Sequence, residues 1–232
     1  SSPAPIEIDS QLVGPGQTPF VIAEVSGNHN GSLDRALEII DAIAESGAQA
    51  VKFQTYTADT ITIDAKGPQF QIRADHSLWG GRTLYDLYQE AHTPWEWHAP
   101  MFAHARERGL IPFSSPFDPT AIELLESLDA PVYKIASAEV VDLPLIREVA
   151  STGKPMIISS GMATLGEIDR ALTAARDGGC TQLVLLACTA SYPASPEDAR
   201  LLAIPTLQEA FGIPIGLSDH TMGVGVSAAA VA

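Results

Sequence analysis

Seven short apolar runs punctuate this chain, and each ends in polar, chemically capable residues. PFVIAE ends at Glu24, with Asn28 and His29 just behind it, and AVKFQ carries Lys52 and Gln54. LIPFSS ends at Ser114 and Ser115, VYKIAS carries Lys134 and Ser137, and PMIISSG ends at Ser159, Ser160 and Gly161. LVLLACT ends at Cys188 and Thr189, and IPIGLSDH ends at Ser218, Asp219 and His220. Short runs that are apolar on both faces predict buried strands of a parallel sheet, near residues 20–24, 50–54, 110–114, 132–136, 155–159, 182–188 and 213–217.

Helical patterns separate these runs. SLDRALEIIDAIAESG places Leu33, Leu37, Ile40 and Ala44 at helical spacing and stops at Gly47. Thr93, Pro94 and Glu96 fit the N-cap, N1 and N3 positions of a capping box, and Thr164 with Glu167 fits another. Asp118-Pro119 and Ser195-Pro196 open two more helices, the second interrupted by Pro205. Ahead of the first core strand, IEI and QLV read as a small hairpin.

Strands alternating with helices imply a parallel sheet with right-handed crossovers. A doubly wound sheet would gather its site at one switch point, whereas every strand end here is polar. The pattern therefore predicts an α/β chain of the (β/α)8 TIM-barrel class, with its site at the carboxyl ends of the strands. The last segment, GVGVSAAAVA, reads as the start of a helix, so the expectation is a barrel truncated after about seven βα units, spanning residues 20–232 behind an N-terminal extension, residues 1–19. The connection from Tyr56 to about Thr93 is far longer than an ordinary βα loop and reads as a binding loop or lid, with Ser77, Leu78, Trp79 and Arg82 in it.

Composition narrows the chemistry. A chain of 232 residues with 46% hydrophobic residues buries a sizeable core. No apolar run reaches the roughly 18–20 residues that span a bilayer, and no basic segment precedes an apolar one as in a signal peptide. Two cysteines, Cys180 and Cys188, do not make a disulfide framework, which points to a reducing, cytoplasmic setting. Cys188 reads as a small buried apolar residue or as a thiolate nucleophile. The net charge of −15 argues against nucleic-acid and anionic-membrane partners. Any anion site must then draw on specific members of only 13 basic residues.

Lys52 and Lys134 lie within strands, where a lysine holds an anion, forms a Schiff base, or sits in a structural ion pair. Ser159-Ser160-Gly161 reads as a phosphate cradle or as a plain strand-to-helix turn. His220 is a metal ligand or a hydrogen-bonded structural histidine, and no second histidine stands at ligand spacing. His98 and His104 fall in a helix and read as core or surface. Glu24 suits sugar hydroxyls or acid/base work, and Asn28 reads as a turn residue.

IAEVSGNHNGSLDRALEIIDAIAESGAQAVKFQTY, FSSPFD, YKIASAE, GKPMIISSGMAT, CTASYP and GLSDHTMG together resemble the sialic-acid (nonulosonic acid) synthase family, in register over most of the chain. Within it, QTYTADTIT and SLWGGRTLYDLYQEAHTPWEWH look most like the pseudaminic acid branch, less like the N-acetylneuraminate or legionaminate enzymes. The resemblance implies a TIM barrel followed by an antifreeze-like C-terminal domain, in a domain-swapped homodimer. It implies a transferase that condenses phosphoenolpyruvate with an amino-sugar aldehyde, releasing phosphate by C–O cleavage, with a divalent metal (Mn, Mg or Co). For the pseudaminic branch the sugar is 2,4-diacetamido-2,4,6-trideoxy-altrose. Carried onto this sequence, Lys52, Ser115, Lys134, Ser137, Ser159 and Ser218 would bind phosphoenolpyruvate, the two lysines neutralising its charges. Glu24, Gln54 and Tyr192 would contact the sugar, with Glu24 also in an acid/base role. His220 would bind the metal, with a second His ligand expected beyond the chain end. Ala190 stands where the neuraminate enzymes carry an Asn. Two other classes stay open at this point: a Schiff-base aldolase using Lys52 or Lys134, and an inactive fragment serving as a binding module.

Overall fold

The structure is a computed structural model that describes residues 2–72 and 80–232. Ser77, Leu78 and Trp79 of the long insertion lie outside the described residues. Contacts divide the chain into two compact units, residues 21–130 and residues 1–20 together with 131–232.

The hairpin forms as expected. β1 (Ile6–Ile8) and β2 (Gln11–Val13) pair antiparallel, with Ile6 opposite Val13. Asp9 and Ser10 make the two-residue turn at φ of 46° and 68°, the left-handed geometry that a tight hairpin requires. Glu7 N donates to Gln182 Oε1 at 2.7 Å, and Gly14 packs against Pro5 and Pro214. A Cβ at Gly14 would lie 2.9 Å from Pro5 Cα, so only glycine allows that approach.

In the unit of residues 21–130, β3 (Ile22–Glu24), β4 (Ala50–Thr55) and β5 (Ile111–Pro116) run parallel in chain order. Between β3 and β4 lies α1 (Leu33–Glu45), capped by Ser32, whose hydroxyl accepts from Arg35 N at 3.2 Å. Its buried stripe is Ala36, Ile40 and Ile43. The predicted stripe is therefore rotated, and Leu33, Leu37 and Ala44 flank it half-buried. Between β4 and β5 come α2 (Ala58–Ile61), α3 (Leu84–Ala91) and α4 (His98–Glu107). The Thr93 capping box does not form. Thr93 is buried with its hydroxyl 3.1 Å from His29 Nε2, and a turn of 3₁₀ helix, Trp95–Trp97, leads into α4 instead. After β5, α5 (Pro119–Ser127) opens as predicted. Asp118 accepts from Thr120 N at 3.0 Å and Ala121 N at 3.3 Å, and Pro119 stands where no donor is needed.

In the other unit, β6 (Tyr133–Ile135), α6 (Leu143–Ser151), β7 (Met156–Ser159), α7 (Leu165–Asp177) and β8 (Leu183–Cys188) alternate. α8 (Ala203–Phe211), β9 (Ile215–Ser218) and α9 (Gly225–Val231) follow. β6 to β9 are parallel and in chain order. Thr164 and Glu167 make the predicted reciprocal capping box on α7. The predicted helix from Ser195 splits. Pro196–Asp198 is a single 3₁₀ turn, and α8 starts afresh at Ala203, which leaves Pro205 in a first turn that has donors to spare.

Parallel strands in chain order within each unit, each followed by a helical crossover, make this a (β/α)8 barrel fold represented by seven strands; a doubly wound sheet would reverse its order. Its outward side chains form the core. Phe53 of β4 meets Phe102 of α4 with ring centroids 5.5 Å apart, and Tyr133, Ile135, Met156, Ile158 and Leu185 are fully buried in the other unit. Each such side chain contributes about 1.5–3 kcal/mol of burial. Among the described residues, no helix is long and apolar enough to cross a membrane.

Candidate active site

Strand register decides which polar residues share a face. In the first unit Glu24 pairs with Lys52, Lys52 with Phe113, and Gln54 with Ser115. Side chains alternate along a strand, so Glu24, Lys52, Gln54 and Ser115 lie on one face at its carboxyl end. Thr55 and Ser114 belong to the opposite face, against α4. The sequence pattern set Ser114 and Ser115 side by side; the pleat separates their jobs. Lys52 Nζ lies 2.8 Å from Glu24 Oε1, and Gln54 Nε2 donates to the same oxygen at 2.6 Å. The lysine side chain is 14% exposed. Among the described residues, Ser115 Oγ is buried with no hydrogen-bond partner. A buried hydroxyl without a partner costs roughly 1–3 kcal/mol, and such groups in native folds call for a function.

Asn28 is the turn residue expected, its Oδ1 accepting from Ser26 N at 2.9 Å. His29 is buried beneath it. Gly31 N donates to His29 Nδ1 at 3.1 Å, so Nε2 carries the proton towards Thr93. Burial, and then the nearby His92, hold its pKa below the usual histidine range. Arg82 is tied within the insertion, at 2.7 Å to Glu90 and 3.2 Å to Asp86 O.

In the second unit Lys134, Ile157 and Val184 form one row, and Ser159, Leu186 and Gly216 the next. Cys188 with Ser218 makes the last. Alternation puts Lys134, Ser159, Cys188 and Ser218 on one face. Lys134 is buried, with Nζ donating to Ile135 O at 3.0 Å. Ser159 Oγ, like that of Ser115, is buried and has no partner among the described residues. Gly161 follows at φ +47° directly over Ser137. Ser137 Oγ donates to Cys188 Sγ at 3.4 Å.

His220 Nδ1 lies 2.8 Å from Thr189 O and donates to it, which makes Nε2 the acceptor nitrogen of the ring. The Tyr192 ring lies over the imidazole with centroids 4.1 Å apart, and Tyr192 is otherwise exposed. A neutral imidazole held in this tautomer by a carbonyl is a fitting donor for a divalent metal. Among the described residues there is no group of three or more His, Cys, Asp or Glu that could complete such a site. Asp219 instead caps the following turn, accepting from Thr221 N at 2.9 Å and Ser227 Oγ at 2.6 Å. Burial pushes its carboxyl up, but these hydrogen bonds bring it below the usual range.

Two more residues join the constellation: Cys188, which the sequence left as a core residue or a thiolate, and Glu139, which sequence reasoning passed over. Cys188 is half-buried rather than a core residue. Burial pushes its thiol up, yet hydrogen bonds from His220, Ser137 and Ser218 bring it down to about 7. Glu139 has a buried Oε2 without a partner among the described residues. Burial raises its pKa, and the charge of Lys134 only partly offsets this. Its position two residues beyond Ser137 was the available signal. His98 is core, as one of the sequence readings had it, and His104 pairs at 2.7 Å with Asp41 on the surface.

The profile of the NeuB family matches residues 39–232. This chain belongs to the NeuB family. It is 50% identical over 207 residues to the pseudaminic acid synthase of Helicobacter pylori, an alignment covering 89% of this chain and 60% of that protein. It is 36% identical to the N,N'-diacetyllegionaminic acid synthase of Campylobacter jejuni, over 92% of this chain and 64% of that enzyme. The chain thus spans about three-fifths of the length of these NeuB relatives. Its fold superposes on the crystal structure of an N-acetylneuraminic acid synthetase from Leptospira borgpetersenii in complex with citrate, with a TM-score of 0.85 and 28% identity. That match covers 98% of this chain and 74% of the other.

Proposed function

We propose that this NeuB-family chain carries the substrate-binding barrel of an enzyme that joins phosphoenolpyruvate to an amino-sugar aldehyde, as a pseudaminic acid synthase. The observation that carries this reading is the 50% identity to a pseudaminic acid synthase along a chain whose strand ends present two lysines and two unpartnered buried hydroxyls. Lys52, Ser115, Lys134, Ser137, Ser159 and Ser218 are assigned to phosphoenolpyruvate. Ser115 and Ser159 gain their missing partners from its oxygens, and the two ammonium groups balance its charge. Lys52 has donors left after its contact with Glu24, so it can serve carboxylate and ligand together.

Glu24, held by Lys52 and Gln54, faces the sugar and moves a proton at the aldehyde oxygen; Gln54 and Tyr192 orient the sugar. C3 of phosphoenolpyruvate forms a bond to the aldehyde carbon, water adds at C2, and the C2–O bond breaks to release inorganic phosphate. His220 Nε2 would hold a divalent metal, which when bound supplies Lewis-acid polarisation of the aldehyde oxygen. In the sequence reading the enzyme is a cytoplasmic homodimer, and both properties belong to this proposal.

Among alternatives, identity favours the pseudaminic branch, at 50% against 36% for the legionaminic enzyme. A Schiff-base reading at Lys52 would require its Nζ to leave the Glu24 carboxylate that holds it at 2.8 Å. The test is phosphate release that requires both phosphoenolpyruvate and 2,4-diacetamido-2,4,6-trideoxy-altrose and stops with EDTA. Release with the neuraminate or legionaminate precursor instead would move the assignment to that branch. Borohydride trapping of pyruvate, insensitive to EDTA, would replace it with an aldolase.

A further inference from the structure

Behind the face that carries Lys52, Gln54 and Ser115, three polar side chains are buried together: Thr55, Ser114 and His98. Thr55 Oγ1 is 2.7 Å from Ser114 Oγ and 2.9 Å from His98 Nε2, and His98 Nδ1 is 3.3 Å from Pro94 O. One direction of hydrogen bonding satisfies all of them. His98 Nδ1–H donates to the carbonyl, so Nε2 must accept from Thr55, and Thr55 accepts from Ser114. Three hydroxyl or imidazole groups in an apolar wall are costly unless all are paired, so the chain of bonds is all-or-none.

The placement has two consequences. Thr55 follows Gln54 and Ser114 precedes Ser115, and each looks to the opposite face from its neighbour. A one-residue slip of β5 against β4 would bring Ser114 to the site face and bury Ser115 against α4, and the Thr55–Ser114 bond opposes it. The same network anchors the root of the insertion, where Trp95 Nε1 donates to Tyr56 O at 3.4 Å and Thr93 meets His29.

We propose that Thr55, Ser114 and His98 are positioning residues, which hold Lys52, Gln54 and Ser115 in register and fix the root of the insertion to β4 and β5. The part that concerns substrate rests on the synthase reading above. The test compares Thr55→Val, nearly isosteric but without the hydroxyl, with Thr55→Ser, which keeps it. Two readouts are taken: phosphoenolpyruvate affinity by calorimetry, and amide hydrogen exchange over residues 93–98 and 111–116. Thr55→Val is expected to weaken phosphoenolpyruvate binding about tenfold or more and to speed exchange in both segments by a similar factor. Thr55→Ser is expected to stay within about twofold of the parent in both. A folded Thr55→Val protein that binds phosphoenolpyruvate within twofold and exchanges at the parent rate would overturn the proposal. If the parent protein binds no phosphoenolpyruvate, the synthase reading fails, and exchange alone decides this inference: an unchanged rate in Thr55→Val sinks it. Should Thr55→Val not fold, Ser114→Ala takes its place; affinity and exchange indistinguishable from the parent would then refute the positioning role.

Discussion

Gly161 offers a sharp test of how the turn proposed to bind phosphate is built. It follows Ser159, the last residue of β7, and Ser160, and its φ is +47°. A Cβ built there would lie 2.3 Å from Ser137 Cβ and 2.6 Å from Ser137 Oγ. Gly161→Ala therefore has two separable costs. The left-handed backbone disfavours any L side chain by about 1–2 kcal/mol. Restoring ordinary contact at about 3.4 Å needs a shift of about 1 Å between two backbones, and overpacking of this kind costs about 1–3 kcal/mol. The sum, about 2–5 kcal/mol, lowers Tm by roughly 4–20 °C in a chain of this size. Because Ser137 is what must move, phosphoenolpyruvate binding falls with it. Differential scanning calorimetry and a binding titration on Gly161→Ala measure both effects. Adding Ser137→Gly removes the two closest atoms and leaves Ser137 Cα at 3.3 Å, so the double variant should recover the overpacking part of the loss but not the backbone part. A Gly161→Ala protein melting within about 1 °C of the parent, or no recovery in the double variant, would refute the reasoning.

Ser159→Ala removes a buried hydroxyl that has no partner among the described residues, so the ligand-free protein should gain up to about 1–3 kcal/mol in stability while losing its thermal shift with phosphoenolpyruvate; a melting scan with and without ligand checks both. His98, lowered to about 4 chiefly by burial, is neutral in the fold but protonates near 6.5 when unfolded. Its contribution, about 3 kcal/mol, is fully present above pH 6.5 and is lost as pH falls from there towards 4. The slope of Tm against pH across that window should flatten in His98→Gln, and an unchanged slope would contradict the assignment. Asp118→Ala removes the cap of α5 and should cost about 1 kcal/mol, a drop of about 2–4 °C in a thermal melt with ligand binding unaltered.

Periodicity in the sequence reached the strands and most helices because burial imposes it locally. Asp118-Pro119 and the Thr164–Glu167 box were legible for the same reason: a cap depends on four consecutive residues. What the pattern could not carry was anything set by partners distant in sequence. Thr93 reads as a cap, yet His29, 64 residues away, takes its hydroxyl. Ser114 and Ser115 look equivalent in LIPFSS until the register with β4 sends one to His98 and the other to the face of Lys52 and Gln54. Cys188 looks like a core residue until Ser137, Ser218 and His220 converge on its sulfur from other strand ends. The candidate residues themselves came from strand-end chemistry and from family resemblance. Their pairing, Lys52 on Glu24 and His220 on Thr189 O, came from the structure.

A synthase of the kind proposed makes a carbon–carbon bond and releases phosphate by breaking the C2–O bond of phosphoenolpyruvate. Phosphoenolpyruvate carrying ¹⁸O in its bridging oxygen, mixed with the protein, 2,4-diacetamido-2,4,6-trideoxy-altrose and Mn²⁺, tests it directly by mass spectrometry of the phosphate. The account predicts labelled phosphate, formed only when the sugar is present. Phosphate without the label, or phosphate formed at the same rate without sugar, would contradict it.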